Sequence, residues 1–132
     1  MKGGLCELKL NADCIRDVLL RCEEIPLNGK LSMEDLCESL GKYNNDDVVY
    51  TCMMLSEGEL IKVITRGSGR AQSVVCVYDL TYKGHQFLNT VRPATVWEKT
   101  KSVLLPIGSW SISLIRTVAE TFLLDHIGNF LP

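Results

Sequence analysis

The sequence predicts a mostly α-helical fold that carries one small antiparallel β-hairpin, and three observations lead there. Apolar residues recur at helical spacing in a run from residue 12 to 24, and again in the stretches that open near residues 32, 44, 81, 95 and 109. Amid these helical stretches, two runs rich in β-branched residues, 60–66 and 71–80, flank the flexible tip Gly67-Ser68-Gly69-Arg70. Finally, the chain has 132 residues, 46% of them apolar and 23% charged, which is enough to bury one core without a metal or disulfide staple.

The elements follow in order. Asn11 is a good N-cap and Asp13 suits the first turn of a helix whose buried stripe is Cys14, Ile15, Val18, Leu19 and Cys22. Pro26 and Asn28-Gly29 stop that helix and turn the chain. Leu31 stands alone before Ser32, which caps a short second helix running to about Leu40, with Leu36, Cys37 and Leu40 inward and Gly41 as its exit. Asn44 and Asn45 offer the cap of a third helix, with Asp46 and Asp47 in its first turn, Val48, Cys52 and Leu55 as its buried stripe, and Gly58 at its end. The two strands come next. Thr81 then caps a helix holding His85, Phe87, Leu88 and Val91, although Gly84 in its first turn costs about 1 kcal/mol relative to alanine. Arg92-Pro93 breaks it, and Thr95 opens a helix reaching about Leu104. After Pro106-Ile107-Gly108, the segment from Ser109 to Ile127 puts Ile112, Ile115, Ala119, Phe122 and Leu123 on one stripe.

Three helices followed by a hairpin is the order of a winged helix-turn-helix, in which the third helix and the hairpin wing meet nucleic acid. Val48, Cys52 and Leu55 with Leu60-Ile61 resemble the pattern found where a recognition helix enters the wing strand. Tyr78-Asp79-Leu80-Thr81-Tyr82-Lys83-Gly84 is similar to the Y-x-L-T-x-x-G signature that ends the wing in the multiple-antibiotic-resistance and phenolic-acid repressor families. A closer likeness covers nearly the whole chain. The segments 10–20 (LNADCIRDVLL), 79–88 (DLTYKGHQFL) and 96–101 (VWEKTK) resemble a family of small bacterial and phage proteins known only as a domain of unknown function. That resemblance implies a winged-helix-like core, carriage on prophages and mobile elements, and no established enzymatic role. The expected organisation is therefore a winged helix-turn-helix domain over residues 1–92 and a helical C-terminal extension over 93–132.

Charge and cysteine usage narrow the function. The formal net charge is −2, but residues 1–60 hold 6 basic against 12 acidic side chains while residues 61–132 hold 8 against 4, so the halves are expected to show opposite faces to a partner. The six cysteines form no C-x-x-C pair, and His85 and His126 lie outside any zinc spacing, which argues against a metal site. No apolar secretory stretch opens the chain and no window approaches about 18 uninterrupted apolar residues, so a cytoplasmic protein with reduced thiols and no membrane span is expected. No convergent catalytic set or phosphate loop is recognisable, and neither enzymatic activity nor a cofactor is expected.

The leading expectation is a DNA-binding regulator of phage or mobile-element type. Lys62, Arg66 and Arg70 would lie on phosphates, with Tyr50 and Thr51 near bases. Against it, the outward side of the third helix carries Asp46 and Asp47 but no Lys or Arg. Asp46, Asp47, Tyr50 and Met54 thus support an alternative, a protein-interaction module that binds a host or phage factor. The wide apolar C-terminal stripe predicts a homodimer through Trp97, Ile112, Ile115, Ala119, Phe122 and Leu123.

Overall fold

A computed structural model describes residues 10–69, 72–108 and 111–128. Helix α1 (Ala12–Glu23) opens as expected: the Asn11 side chain accepts from Cys14 N at 3.1 Å, and the helix buries Cys14, Ile15, Val18, Leu19 and Cys22. Strand β1 (Leu31–Ser32) runs straight into α2 (Met33–Ser39), whose cap is Ser32 Oγ accepting from Asp35 N at 3.1 Å. Helix α3 (Asn45–Glu57) follows, with Asn44 at the cap position. Its side chain makes no capping bond there, and the backbone carbonyl of Asn44 instead accepts from Asp47 N and Val48 N. Strands β2 (Ile61–Arg66) and β3 (Ser73–Leu80) form the hairpin, and α4 (Tyr82–Val91), α5 (Ala94–Leu104) and α6 (Ile112–Gly128) complete the chain.

One expectation needs correcting here. Leu31 is not an isolated residue ahead of a helix: it pairs with Val77, and Ser32 with Cys76, so the hairpin is part of a three-stranded antiparallel sheet in the order β1-β3-β2. Two residues cannot display the period-two alternation by which strands are read from sequence, and their partners lie more than forty positions away.

Gly84, which weakened the reading of α4, has a steric reason. A Cβ there would sit 2.1 Å from the carbonyl oxygen of Leu60, so only glycine lets α4 approach the turn between α3 and β2 this closely. Thr81 fastens the same joint. Its amide donates to Leu60 O (3.0 Å), its hydroxyl donates to Glu59 O (2.6 Å), and its Oγ1 also accepts from Gly84 N (2.9 Å).

A single hydrophobic core runs through the molecule. Val96, Trp97, Leu104, Ile115 and Ala119 belong to the same buried cluster as Ile15, Leu19, Leu36, Val48, Leu55 and Phe87, so the core spans the expected boundary at residues 92/93. The five described cysteines, Cys14, Cys22, Cys37, Cys52 and Cys76, are free thiols buried within or beside this core, and Cys6 lies outside the described residues. Burial pushes the Cys22 thiol up to about 12, so it stays protonated and packs as a small hydrophobe.

Candidate nucleic-acid interface

Among its described residues the hairpin projects two cations. Lys62 and Arg66 are exposed on β2, and neither makes an ion pair among the described residues. Arg70 lies outside the described residues. The strands pair from Ile61↔Leu80 to Arg66↔Ser73, with irregularities after Lys62 and Ile64 that change which way the edge strand faces. At the tip Gly67 (φ 87°) and Gly69 (φ 56°) adopt left-handed backbone, which glycine takes without a Cβ penalty.

Beside the hairpin, α3 presents a different chemistry. Asp46 and Glu57 are exposed, Asp47, Tyr50 and Met54 half-buried, and no cation stands on the helix. Thr51, expected on this outer face, is instead 1% exposed. Its hydroxyl lies 2.7 Å from Asp47 O and 3.5 Å from Cys14 Sγ, against α1. Position 51 is three residues past Val48 and four before Leu55, so the stripe that buries those two also buries it. Met53 takes the outward place. It lines a groove of about 130 Å³ between α3 and the hairpin, together with Glu57, Val63 and Val74. A helical wheel centred on Val48, Cys52 and Leu55 carries this signal, and Met53 is not among the site residues expected from the sequence.

Three other cations of the basic half are held by acids, whereas Lys99 and Arg116 make no ion pair among the described residues. Lys83 Nζ lies 3.0 Å from Glu59 Oε1, Arg92 grips both carboxylate oxygens of Glu23, and Lys101 Nζ lies 3.0 Å from Asp13 Oδ1 and 3.3 Å from Glu98 Oε2. Three of these four acids come from residues 1–60. The opposite charges of the two halves are thus partly folded onto each other, which corrects the expectation that they form two separate faces for a partner.

The densest of these joints is built around Trp97. Its indole Nε1 donates to Asp13 Oδ1 at 2.8 Å, while the Arg16 guanidinium and Lys101 ammonium lie 5.9 and 6.0 Å from the ring centroid. Arg16 also donates from Nε to Val91 O (2.9 Å) and from Nη2 to Arg92 O (2.6 Å), satisfying carbonyls that the end of α4 leaves without helical partners. Burial raises the Asp13 carboxyl, but the hydrogen bonds from Trp97 and Lys101 outweigh it and hold the group below its ordinary value. For Glu23, the hydrogen bonds from Arg92 dominate and also lower it. Tyr43 makes a further joint, donating to Asp17 Oδ2 at 2.6 Å, where Lys42 pairs with the same oxygen at 3.1 Å.

Several residues expected at a dimer interface lie inside. Trp97 is 3% exposed and Ile115 and Ala119 are fully buried, covered by the chain itself where α5 and α6 pack, while Ile112, Phe122 and Leu123 are half-buried against the same core. The apolar side chains that remain open here are others, chiefly Leu105 (72% exposed) and Leu124 (70%). Among the described residues no three His, Cys, Asp or Glu side chains converge to hold a metal ion, and no helix is long and apolar enough to cross a membrane.

These residues define a mostly helical protein with a small antiparallel sheet, stitched together by polar joints between its N-terminal helix and α4 and α5. A family model described as a hypothetical protein (DUF2513) matches residues 9–109, and the chain belongs to that family. The match contains all three segments whose likeness pointed to a domain of unknown function. An uncharacterized protein of Haemophilus influenzae is 29% identical over 118 residues, which cover 88% of this chain and 96% of that protein. No solved structure gives a significant match.

The three segments acquire a physical meaning in the fold. The first supplies Asp13 and Arg16, the third supplies Trp97 and Lys101, and the second supplies Thr81, Lys83 and Gly84 at the joint with Glu59 and Leu60. All of these contacts position helices.

Proposed function

We propose that this protein is a winged helix-turn-helix regulator of phage or mobile-element type that binds duplex DNA in the cytoplasm and acts by binding, without chemistry. The observation that carries this reading is the pair Lys62 and Arg66, exposed on the hairpin and without an ion pair among the described residues, while Lys83, Arg92 and Lys101 are engaged by carboxylates. The three-helix order and the short strand β1 on the β3 edge support it. In this reading the hairpin follows phosphates and Tyr50 approaches the bases, while Asp46 and Asp47 keep the start of α3 off the backbone. Binding is then strong at low salt and weakly selective for sequence. Fluorescence anisotropy with a duplex at two salt concentrations tests it. The Lys62→Ala, Arg66→Ala double variant should bind much more weakly and with a shallower salt dependence, and the reading fails if binding is absent at low salt or unchanged in the variant.

A second reading has its own observation: carboxylates, Tyr50, Met53 and Met54 share the outer side of α3 without a cation. Such a surface suits a basic protein partner, and capture of a host or phage factor would be lost with Tyr50→Ala and Met54→Ala. An unchanged capture profile removes this alternative. Homodimerisation is kept in either reading, but through the exposed Leu105 and Leu124 in place of the buried Trp97, Ile115 and Ala119. Sedimentation at the monomer mass of 14.8 kDa at micromolar concentration would exclude it.

A further inference from the structure

A cleft of about 610 Å³ opens between α4, α6 and the turn leading from α3 into β2. Its volume falls within the range of small-molecule sites, roughly 300–1,000 Å³. Buried Phe87 and Leu60 and half-buried Ile112 give it an apolar side. Three charged side chains line it, and they are not equivalent. Lys83 is engaged by Glu59 at 3.0 Å. Arg116 and Glu120 stand one helical turn apart on α6, yet neither forms an ion pair with the other or with any described residue. An arginine preceding a glutamate by four positions is the less favoured orientation for pairing along a helix, which leaves one cation and one anion free beside an apolar wall.

We propose that this cleft binds a small zwitterion with an apolar side chain, a free amino acid or a short peptide, with Arg116 receiving its carboxylate and Glu120 its ammonium group. A lone anion would meet Glu120 and a lone cation Arg116, so a ligand carrying both charges fits better than one carrying either. The site is separate from the hairpin cations, and the proposal does not depend on DNA binding.

The test is a titration of the full chain with L-leucine and with L-leucyl-L-leucine, followed by nitrogen–proton correlation NMR. Saturable shifts are expected around Gly58, Phe87 and Ser113, and the tighter binder of the two identifies the source. N-acetyl-L-leucine, which lacks the ammonium, and L-leucinamide, which lacks the carboxylate, should each bind about tenfold more weakly than leucine, the size of one charge-assisted hydrogen bond. The exposed positions allow Arg116→Gln and Glu120→Gln to be made without disturbing the core. Arg116→Gln should abolish the penalty for amidation and keep that for acetylation, and Glu120→Gln should do the reverse. The proposal is overturned if neither ligand gives saturable shifts at millimolar concentration, if the shifts map elsewhere, or if the blocked derivatives bind as well as leucine.

Discussion

The cations of the hairpin and those of α4 and α5 lie within forty residues of each other in the chain and meet opposite fates. Lys83, Arg92 and Lys101 are folded against Glu59, Glu23 and Asp13, so their charge joins elements of this protein to one another. Lys62 and Arg66 sit exposed on the edge strand β2, and neither makes an ion pair among the described residues. The difference teaches that a block of basic sequence is not a basic surface. Only the part that the fold leaves unpaired can steer or hold a polyanion.

The comparison breaks most visibly at Trp97. Trp97→Ala removes a buried ring that also donates to Asp13, and should cost about 3–5 kcal/mol in urea unfolding. A loss no larger than that of a hairpin variant would mean that the joint does not hold the helices. A second, smaller effect is acid sensitivity. Asp13 and Glu23 are both held below their ordinary values of 3.8 and 4.5, so their contribution is fully present above those values and is lost as pH falls through the lower, folded ones. Unfolding of the Asp13→Asn, Glu23→Gln double variant should therefore be less stable at neutral pH and flatter against pH in the acid range. An unaltered pH profile would contradict the joint's ionic character.

Smaller still is Arg92→Ala. Its pair with Glu23 is substantially open to solvent, so the loss should stay near or below about 1 kcal/mol despite the two-pronged geometry. At the bottom of the scale, Lys62→Ala with Arg66→Ala should change stability by no more than about 0.5 kcal/mol, because both side chains are exposed and neither is in an ion pair among the described residues. A thermal melt of that double variant sharpens the contrast: its stability should match the parent while its DNA affinity falls.

Local signals made most of the fold legible. Asn11, Ser32 and Thr81 act as caps because capping needs only a side-chain oxygen and an amide two or three residues on. The hairpin was equally readable from two β-branched runs around a glycine tip. At the candidate site, Lys62 and Arg66 stood out as strand cations, and the acidic character of α3 was plain from Asp46 and Asp47. Thr51 lies inside and not on the outer face for a geometric reason, since one position along a helix rotates a side chain by about 100° and exchanges inside for outside. Trp97 was misread for another. An apolar stripe reports that a face is buried, not whether its cover is the same chain or a second copy.

By itself, the sequence determined the order of the six helices and the hairpin, that a core would form, and that the thiols would serve it. These follow from caps, periodicity and turn residues acting over a few positions. Only the tertiary structure decided that Leu31 joins the sheet, that Gly84 must yield to the Leu60 carbonyl, and that Asp13, Arg16, Trp97 and Lys101 form one joint. Those contacts connect residues tens of positions apart, and no local pattern encodes them. The charge of each half could be counted in the sequence, but which charges cancel depends on separations of about 3 Å that exist only once the chain has folded.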